Sequence, residues 1–374
     1  MTSRKALTES TRWVVKIGTS LLTDSQSGLN QSAIDSWVRQ IAELKEQSVD
    51  IVLVSSGSIG EGMRRLGWIN RPSDVHKLQT AAAVGQMGLM QSYQAAFDKY
   101  KILTAQILLT HADLANRQRY LNARSTLREL LNLGVVPIVN ENDAVVNEEI
   151  RFGDNDTLAA LATNLVEAEC LVLLTDQVGL CERDPRNSGP VNLIQYGKAD
   201  DPDLLAVAGC AGVSGSGGML TKIKAARKAS GSGATTIIAS GKEKDILLRL
   251  RAGEGLGTAL LPGSGRIAAR KQWLAGQLRG TGKLVLDNGA VSVLRESGRS
   301  LLPIGVTAVD GLFTRGEIVI CVDQAGNEIA RGLVNYNADE ANKIIGTSSD
   351  KIETILGYCG ESELIHRDNI AITA

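Results

Sequence analysis

Trp13-Val14-Val15-Lys16-Ile17-Gly18-Thr19-Ser20 is the stretch that decides the fold. An apolar run of strand length, interrupted by one lysine, ends on glycine and two hydroxyl residues. A strand without polar alternation is covered on both faces, as in a parallel sheet. A second such run, Val52-Leu53-Val54, opens onto Ser55-Ser56-Gly57-Ser58-Ile59-Gly60. A third, Ile138-Val139, runs into Asn140-Glu141-Asn142-Asp143, with Gly153-Asp154-Asn155-Asp156 close behind. In open α/β sheets, ligands bind at the carboxyl ends of the strands. Lysine with exposed backbone N–H groups suits phosphate, and the carboxylates and amides suit an amine-bearing molecule or a metal. Phosphoryl transfer to a small polar molecule is the chemistry these residues suggest.

The pattern extends outward from these runs. Strands are predicted over Trp13–Ile17, Ile51–Val54, Ile102–Leu109, Val135–Val139, Leu171–Leu174 and Thr235–Ala239. Helical spacing occupies Ala33–Glu46, Val75–Ala96 and Arg117–Leu131 between them. Strands alternating with helices predict an open, largely parallel sheet sandwiched by helices. The pattern breaks at Pro262-Gly263-Ser264-Gly265, and Arg266 to Gly280 is basic with no acid. Short strand-like runs follow at Lys283–Leu286, Glu317–Val322 and Glu328–Leu333, punctuated by glycine. The expected organisation is a catalytic domain over residues 1–262, a linker over 263–280 and a small β-rich domain over 281–374.

Composition removes several function classes. The 374 residues are 43% hydrophobic with a formal net charge of -1, so no global charge draws the chain to nucleic acid or anionic membrane. Residues 281–374 hold 8 Lys and Arg against 13 Asp and Glu, a net of -5, where an RNA-binding face needs a basic footprint. The N-terminus lacks the apolar core of a signal peptide, and Leu158 to Leu174 contains Asn164, Glu167 and Glu169, so it reads as a helix running into a strand rather than a membrane span. The three histidines, His76, His111 and His366, are far apart and offer little to a zinc site or a serine–histidine triad. The five scattered cysteines, Cys170, Cys181, Cys210, Cys321 and Cys359, fit reduced thiols in the cytoplasm and read as small buried apolar residues.

Ser214-Gly215-Ser216-Gly217-Gly218-Met219-Leu220-Thr221-Lys222 opens a helix extending to about Ser230. Glycines and hydroxyls at a helix N-terminus make an anion site, and Lys222 lies one turn in. It is not a Walker A loop, because no Gly-Lys-Ser/Thr is present. The one Gly-x-Gly-x-x-Gly/Ala match, Gly263 to Ala268, lacks a surrounding βαβ unit, which argues against a Rossmann cofactor site. Asp and Asn are also ordinary turn and N-cap residues, and Asp154 fits the N-cap of a helix starting near Thr157. Turn chemistry does not account for the density of carboxylate and amide across both clusters.

Together these motifs resemble the glutamate 5-kinases of the amino-acid kinase family. The likeness rests on Val15–Ser20, Ser55–Gly57, Asn140–Val145, Gly153–Asp156, Leu174–Gln177, Asp184–Arg186 and Gly217–Lys222, and extends nearly end to end. The tail from about Thr281 to Gly357 resembles a PUA domain. The resemblance implies ATP-dependent phosphorylation of the γ-carboxylate of L-glutamate with Mg²⁺, opening proline synthesis, with feedback inhibition by proline and a homo-oligomer. It places Lys16 and Lys222 along the transferring phosphoryl group, with Asp156 orienting both. It gives Ser56, Gly57, Asn140, Asp143 and Asn155 to glutamate, with Asp143 near the α-amino group. Lys16, Thr175, Asp176 and Ser216, Gly217, Gly218, Met219, Leu220, Thr221 and Lys222 fall to ATP.

Two departures are mild: Ser216 stands where threonine is common, and Ser58-Ile59-Gly60-Glu61 replaces a more alanine-rich version. A carboxylate acceptor is ionised at pH 7 and needs no general base, which suits a site with lysines and no placed histidine. Its acyl phosphate product is labile, which suggests handover to a reductase acting on glutamyl phosphate. The competing readings are a kinase of the same fold acting on acetylglutamate, aspartate, carbamate or a nucleotide, a PUA-type RNA-binding protein, and a catalytically silent regulator.

Overall fold

The computed structural model describes residues 4–24, 28–145, 155–183, 192–209, 218–263 and 280–373. Two compact units emerge, one within Met1–Ala115 and Asn122–Ser264, the other within Gly265–Ala374 together with Asn116–Leu121.

The first unit is built on an eight-stranded sheet. Its strands are β1 (Arg12–Ile17), β4 (Asp50–Ser55), β5 (Thr104–Leu109), β6 (Val136–Glu141), β7 (Cys170–Thr175), β8 (Tyr196–Lys198), β9 (Thr235–Ser240) and β10 (Thr258–Leu261); β2 (Thr23–Asp24) and β3 (Gly28–Leu29) form a separate small ribbon. The order is β5-β6-β4-β1-β7-β9-β10-β8. Every neighbouring pair is parallel except β9 with β10. Sequence reading found the six longest strands to within two residues at each end. It missed β8 and β10, whose short runs carry no local strand signature.

Register explains why distant residues meet. Lys16 pairs with Val54 on one side and Leu173 on the other, and Val54 pairs with Val139. These four residues therefore form one row across the sheet. The next residues along the chain, Ile17, Ser55, Leu174 and Asn140, form the row at its carboxyl rim. Strand alternation sends Trp13, Val15 and Ile17 to one face, where they join Trp37, Ile41, Tyr93 and Phe97 of helices Gln31–Glu46 and Val75–Asp98 in a buried cluster. Each such large apolar side chain stabilises by about 1.5–3 kcal/mol on burial. Val14 and Lys16 face the other way, toward helices Asn155–Val166 and Met219–Ser230. A lysine in that row stands where a core residue otherwise would.

Helix Ser58–Arg65 presses on helix Val75–Asp98 without intervening side chains. A Cβ on Gly85 would lie 1.8 Å from the Ser58 carbonyl oxygen, and one on Gly62 would lie 1.7 Å from the Ala81 carbonyl oxygen. Gly57, which starts the shorter helix, has φ 97°, a left-handed conformation that favours glycine.

The second unit carries a five-stranded sheet of β11 (Gly282–Leu286), β12 (Val306–Gly311), β13 (Ile318–Val322), β14 (Glu328–Leu333) and β15 (Ile370–Ile372), in the order β12-β11-β13-β14-β15. Leu284, Leu286, Val306, Phe313, Val319 and Ile344 are among its own buried core. The β-rich tail is thus present, with β12 and β15 added to the three strands expected.

The cysteine reading needs one correction. Cys170, Cys181 and Cys321 are buried and free, but Cys359 is exposed, in the glycine-flanked turn Gly357–Gly360 where no core forms around it. Cys210, the N-cap expectation for Asp154, the Asp184–Arg186 motif and nearly all of the expected linker lie outside the described residues.

Candidate active site

The row containing Lys16 ends in a buried ion cluster. Lys16 Nζ lies 2.7 Å from Asp156 Oδ1, and Lys222 Nζ lies 3.0 Å from Asp156 Oδ2. Exposure is 5% for Lys16, 1% for Asp156 and 4% for Lys222, so all three charges are withdrawn from water. Asp156 occupies the first turn of helix Asn155–Val166, where helix dipole and free N–H groups favour a carboxylate. Lys222 stands one turn into helix Met219–Ser230, whose N-terminus opens on Gly218.

The electrostatics follow from that crowding. Burial alone would raise the Asp156 carboxyl, but the two ammonium groups override it and hold it at about 2. Lys222 is pushed down, chiefly by burial; Asp156 opposes that shift, Lys16 adds to it, and Asp176 opposes it. Two cations share one anion, so the cluster carries a net positive charge, which favours an anion beside it. Thr221 Oγ1 also donates to Asp156 Oδ2, at 2.9 Å.

An amide cluster lies beside it, joined through consecutive residues. Asn155 Nδ2 shares its two hydrogens among three acceptors: Ser55 O at 3.2 Å, Ser56 Oγ at 2.9 Å and Asn140 Oδ1 at 3.0 Å. Asn140 Nδ2 in turn donates to Gln86 Oε1 at 2.8 Å. Asp143 is held separately: its Oδ2 accepts from Ser58 Oγ at 3.1 Å. Burial, followed by the neighbouring charge of Glu141, lifts the Asp143 carboxyl to about 6. A buried carboxylate so destabilised gains strongly from a cationic partner.

The residues singled out in the sequence therefore fall into three groups. Lys16, Asp156, Thr221 and Lys222 form one cluster, and Ser56, Asn140 and Asn155 another, with Gly57 at the turn beside them. Asp143 reaches neither directly. Thr175 donates to the neighbouring Asp176 at 3.1 Å at the end of β7, and Gly218, Met219 and Leu220 line the start of the Lys222 helix. Ser216 and Gly217 lie outside the described residues. Two polar partners escaped sequence reading. Ser58 sits inside a quoted turn yet draws notice only through its bond to Asp143. Gln86 is buried within a long helix and has no motif around it.

Comparison with known proteins accords with this geometry. Residues 11–240 match the Amino acid kinase family, and residues 282–356 match the PUA domain. The chain belongs to the amino acid kinase family. Within that family it is 59% identical to the glutamate 5-kinase of Chromohalobacter salexigens, covering 99% of this chain and 98% of that protein. It is 56% identical to the glutamate 5-kinase of Saccharophagus degradans over the whole of both chains, and 58% identical to that of Pseudomonas entomophila over 99% of this chain and all of the other. The amino acid kinase match spans β1 through β9, and so contains every residue of the two clusters.

Proposed function

We propose that this chain transfers the γ-phosphoryl group of ATP to the γ-carboxylate of L-glutamate, forming L-glutamyl 5-phosphate, the first step of proline biosynthesis. The observation that carries this reading is the junction at Asn155 and Asp156. One residue joins the amide cluster suited to an amino acid, and the next holds two lysines suited to a phosphoryl group. A kinase of the same fold with another acceptor, a PUA-type RNA binder and a silent regulator are not favoured, since the relatives matched along their length are named glutamate 5-kinases.

The acceptor carboxylate is already ionised at neutral pH, so its oxygen attacks phosphorus without a base. The bond from phosphorus to the bridging oxygen of ADP breaks, and ADP leaves with that electron pair. Lys16 and Lys222 neutralise the phosphoryl oxygens, and Asp156 sets the distance between the two ammonium groups. Ser56, Gly57, Asn140 and Asn155 seat glutamate, with Asp143 toward its ammonium group. Thr175, Asp176 and the segment Ser216–Lys222 receive the nucleotide.

Among the described residues, no three His, Cys, Asp or Glu side chains gather as a metal cage. Mg²⁺ carried on phosphate oxygens needs one or two protein carboxylates and otherwise water. Asp176, exposed beside Thr175, is the carboxylate offered on the nucleotide side. When bound, the ion supplies further neutralisation of phosphate charge.

We further infer a catalytic domain over residues 1–262, a linker over 263–280 and a PUA-like domain over 281–374. Proline as feedback inhibitor, a homo-oligomer and handover of the labile product to glutamyl phosphate reductase follow from the family likeness. A cytoplasmic location also follows from the family likeness; among the described residues no helix is long and apolar enough to cross a membrane. The test is a hydroxylamine trap: the protein, Mg-ATP and each candidate carboxylate are incubated, and the hydroxamate is measured. Hydroxamate from free glutamate alone is the expected result; none from glutamate, or more from acetylglutamate or aspartate, overturns the assignment.

A further inference from the structure

We infer that Gln86 is a positioning residue for the amino-acid substrate, fixing which way the Asn140 amide faces. The inference rests on the glutamate-site reading above and adds a residue from an element that reading does not use.

A backbone carbonyl only accepts hydrogen bonds, so Asn155 must present Nδ2, and not Oδ1, to Ser55 O. The same Nδ2 reaches the Asn140 side chain, which must answer with its oxygen. Asn140 then has Nδ2 left for its other neighbour, and Gln86 meets it with Oε1 at 2.8 Å. One strand-end carbonyl thus sets the orientation of three side-chain amides in sequence. Gln86 closes that relay. Without its acceptor, Asn140 Nδ2 loses its partner, and little holds the amide to one rotamer.

Two further observations support a functional use. Among the described residues, the ends of the relay, Asn155 Oδ1 and Gln86 Nε2, are buried and find no hydrogen-bond partner. Folded proteins keep few such atoms, because each carries an uncompensated loss of hydration. The Asn155 end is an acceptor, the kind of group that a substrate ammonium requires. The helix bearing Gln86 is also closely packed: the preceding residue, Gly85, lies so close to the Ser58 carbonyl and Gly62 nitrogen that a Cβ there would sit 1.8 and 2.3 Å from them. The helix that carries Gln86 is thus braced against the helix that carries Ser58, the residue bonded to Asp143.

The test is a double-mutant cycle on the full chain with Gln86→Met, Asn140→Ala and the pair. Gln86→Met should raise the glutamate KM by about tenfold, with the ATP KM within about twofold of wild type. If Gln86 acts through Asn140, adding Gln86→Met to Asn140→Ala should change the glutamate KM by less than about twofold. Independent multiplication of the two effects overturns the inference, as does an equal rise in the ATP KM or an unchanged glutamate KM. Should Gln86→Met lose its cooperative thermal transition, Gln86→Leu, which also lacks the acceptor oxygen, takes its place in the cycle, and the same coupling is required of it. Wild-type protein in parallel separates the two claims. No glutamyl hydroxamate from wild type defeats the substrate reading, whereas active wild type with uncoupled variants defeats only the role of Gln86.

Discussion

Lys16 and Lys222 grip opposite oxygens of the Asp156 carboxylate, at 2.7 and 3.0 Å, from the end of a strand and the first turn of a helix far along the chain. The carboxylate works as a spacer. It keeps apart two cations that would otherwise repel, and in the proposed reaction it holds both where phosphate charge develops. Replacing either lysine should therefore lower kcat far more than it raises the glutamate KM. Lys222→Ala should cost a few hundred-fold in kcat, corresponding to about 3–4 kcal/mol of lost transition-state stabilisation. Steady-state kinetics on a folded variant decides it, and an unchanged kcat would remove Lys222 from the catalytic set; Lys16→Ala should behave alike.

Asp143 titrates where an assay can follow it. Its carboxyl is raised to about 6 by burial and by Glu141, so it takes up a proton as pH falls through that value. The neutral form cannot attract an ammonium group. The glutamate KM should therefore rise as pH drops from 7.5 to 5, while the ATP KM changes less. Asp143→Asn should raise the glutamate KM at pH 7.5, by about 1.5–3 kcal/mol in binding terms, and flatten its acid limb. An acid limb that persists in the variant would assign that titration elsewhere.

Gly85 offers a prediction about stability. An added methyl would overlap the Ser58 carbonyl and the Gly62 nitrogen, so the two helices must separate. Gly85→Ala should destabilise by about 3 kcal/mol, lowering the melting temperature by roughly 6–12 °C. Gly255→Ala, where no atom lies within 4 Å, is the control and should leave it nearly unchanged. Equal melting temperatures for the two variants would refute the close contact.

The tail should be dispensable for chemistry. Every proposed reacting or binding group lies between Lys16 and Lys222, and the first unit has its own extended core. A protein ending at Gly263 is expected to keep the glutamate-dependent activity, with an altered response to Mg²⁺ or proline. A soluble, cooperatively melting truncation with no activity would show that the tail is needed to complete the site.

The sequence exposed what is local. Lys16 and Ser56 were legible because each sits at or just past an apolar strand, and Asp156 because it falls in a cluster too polar for a turn. The parallel core followed from the same runs. What escaped depends on partners distant in the chain. Thr221 read as a nucleotide contact, yet its hydroxyl also supports Asp156, which only the packing of two helices reveals. Gln86 lies in a helical repeat whose period is set by core packing, so nothing nearby marks it. β10 is a four-residue run whose antiparallel pairing with β9 depends on how the chain turns back, not on its own composition.

The adjacency of Asn155 and Asp156 limits how this protein can change. One backbone step separates the residue that contacts Ser56 and Asn140 from the residue that spaces the two lysines, and both belong to the same buried helical turn. A mutation that tilts or slides that turn to admit a different acceptor also shifts the lysines. Evolution toward a new substrate would therefore have to proceed through surrounding loops and side chains while this turn stayed fixed. Attempts to redesign specificity in the laboratory face the same order of operations.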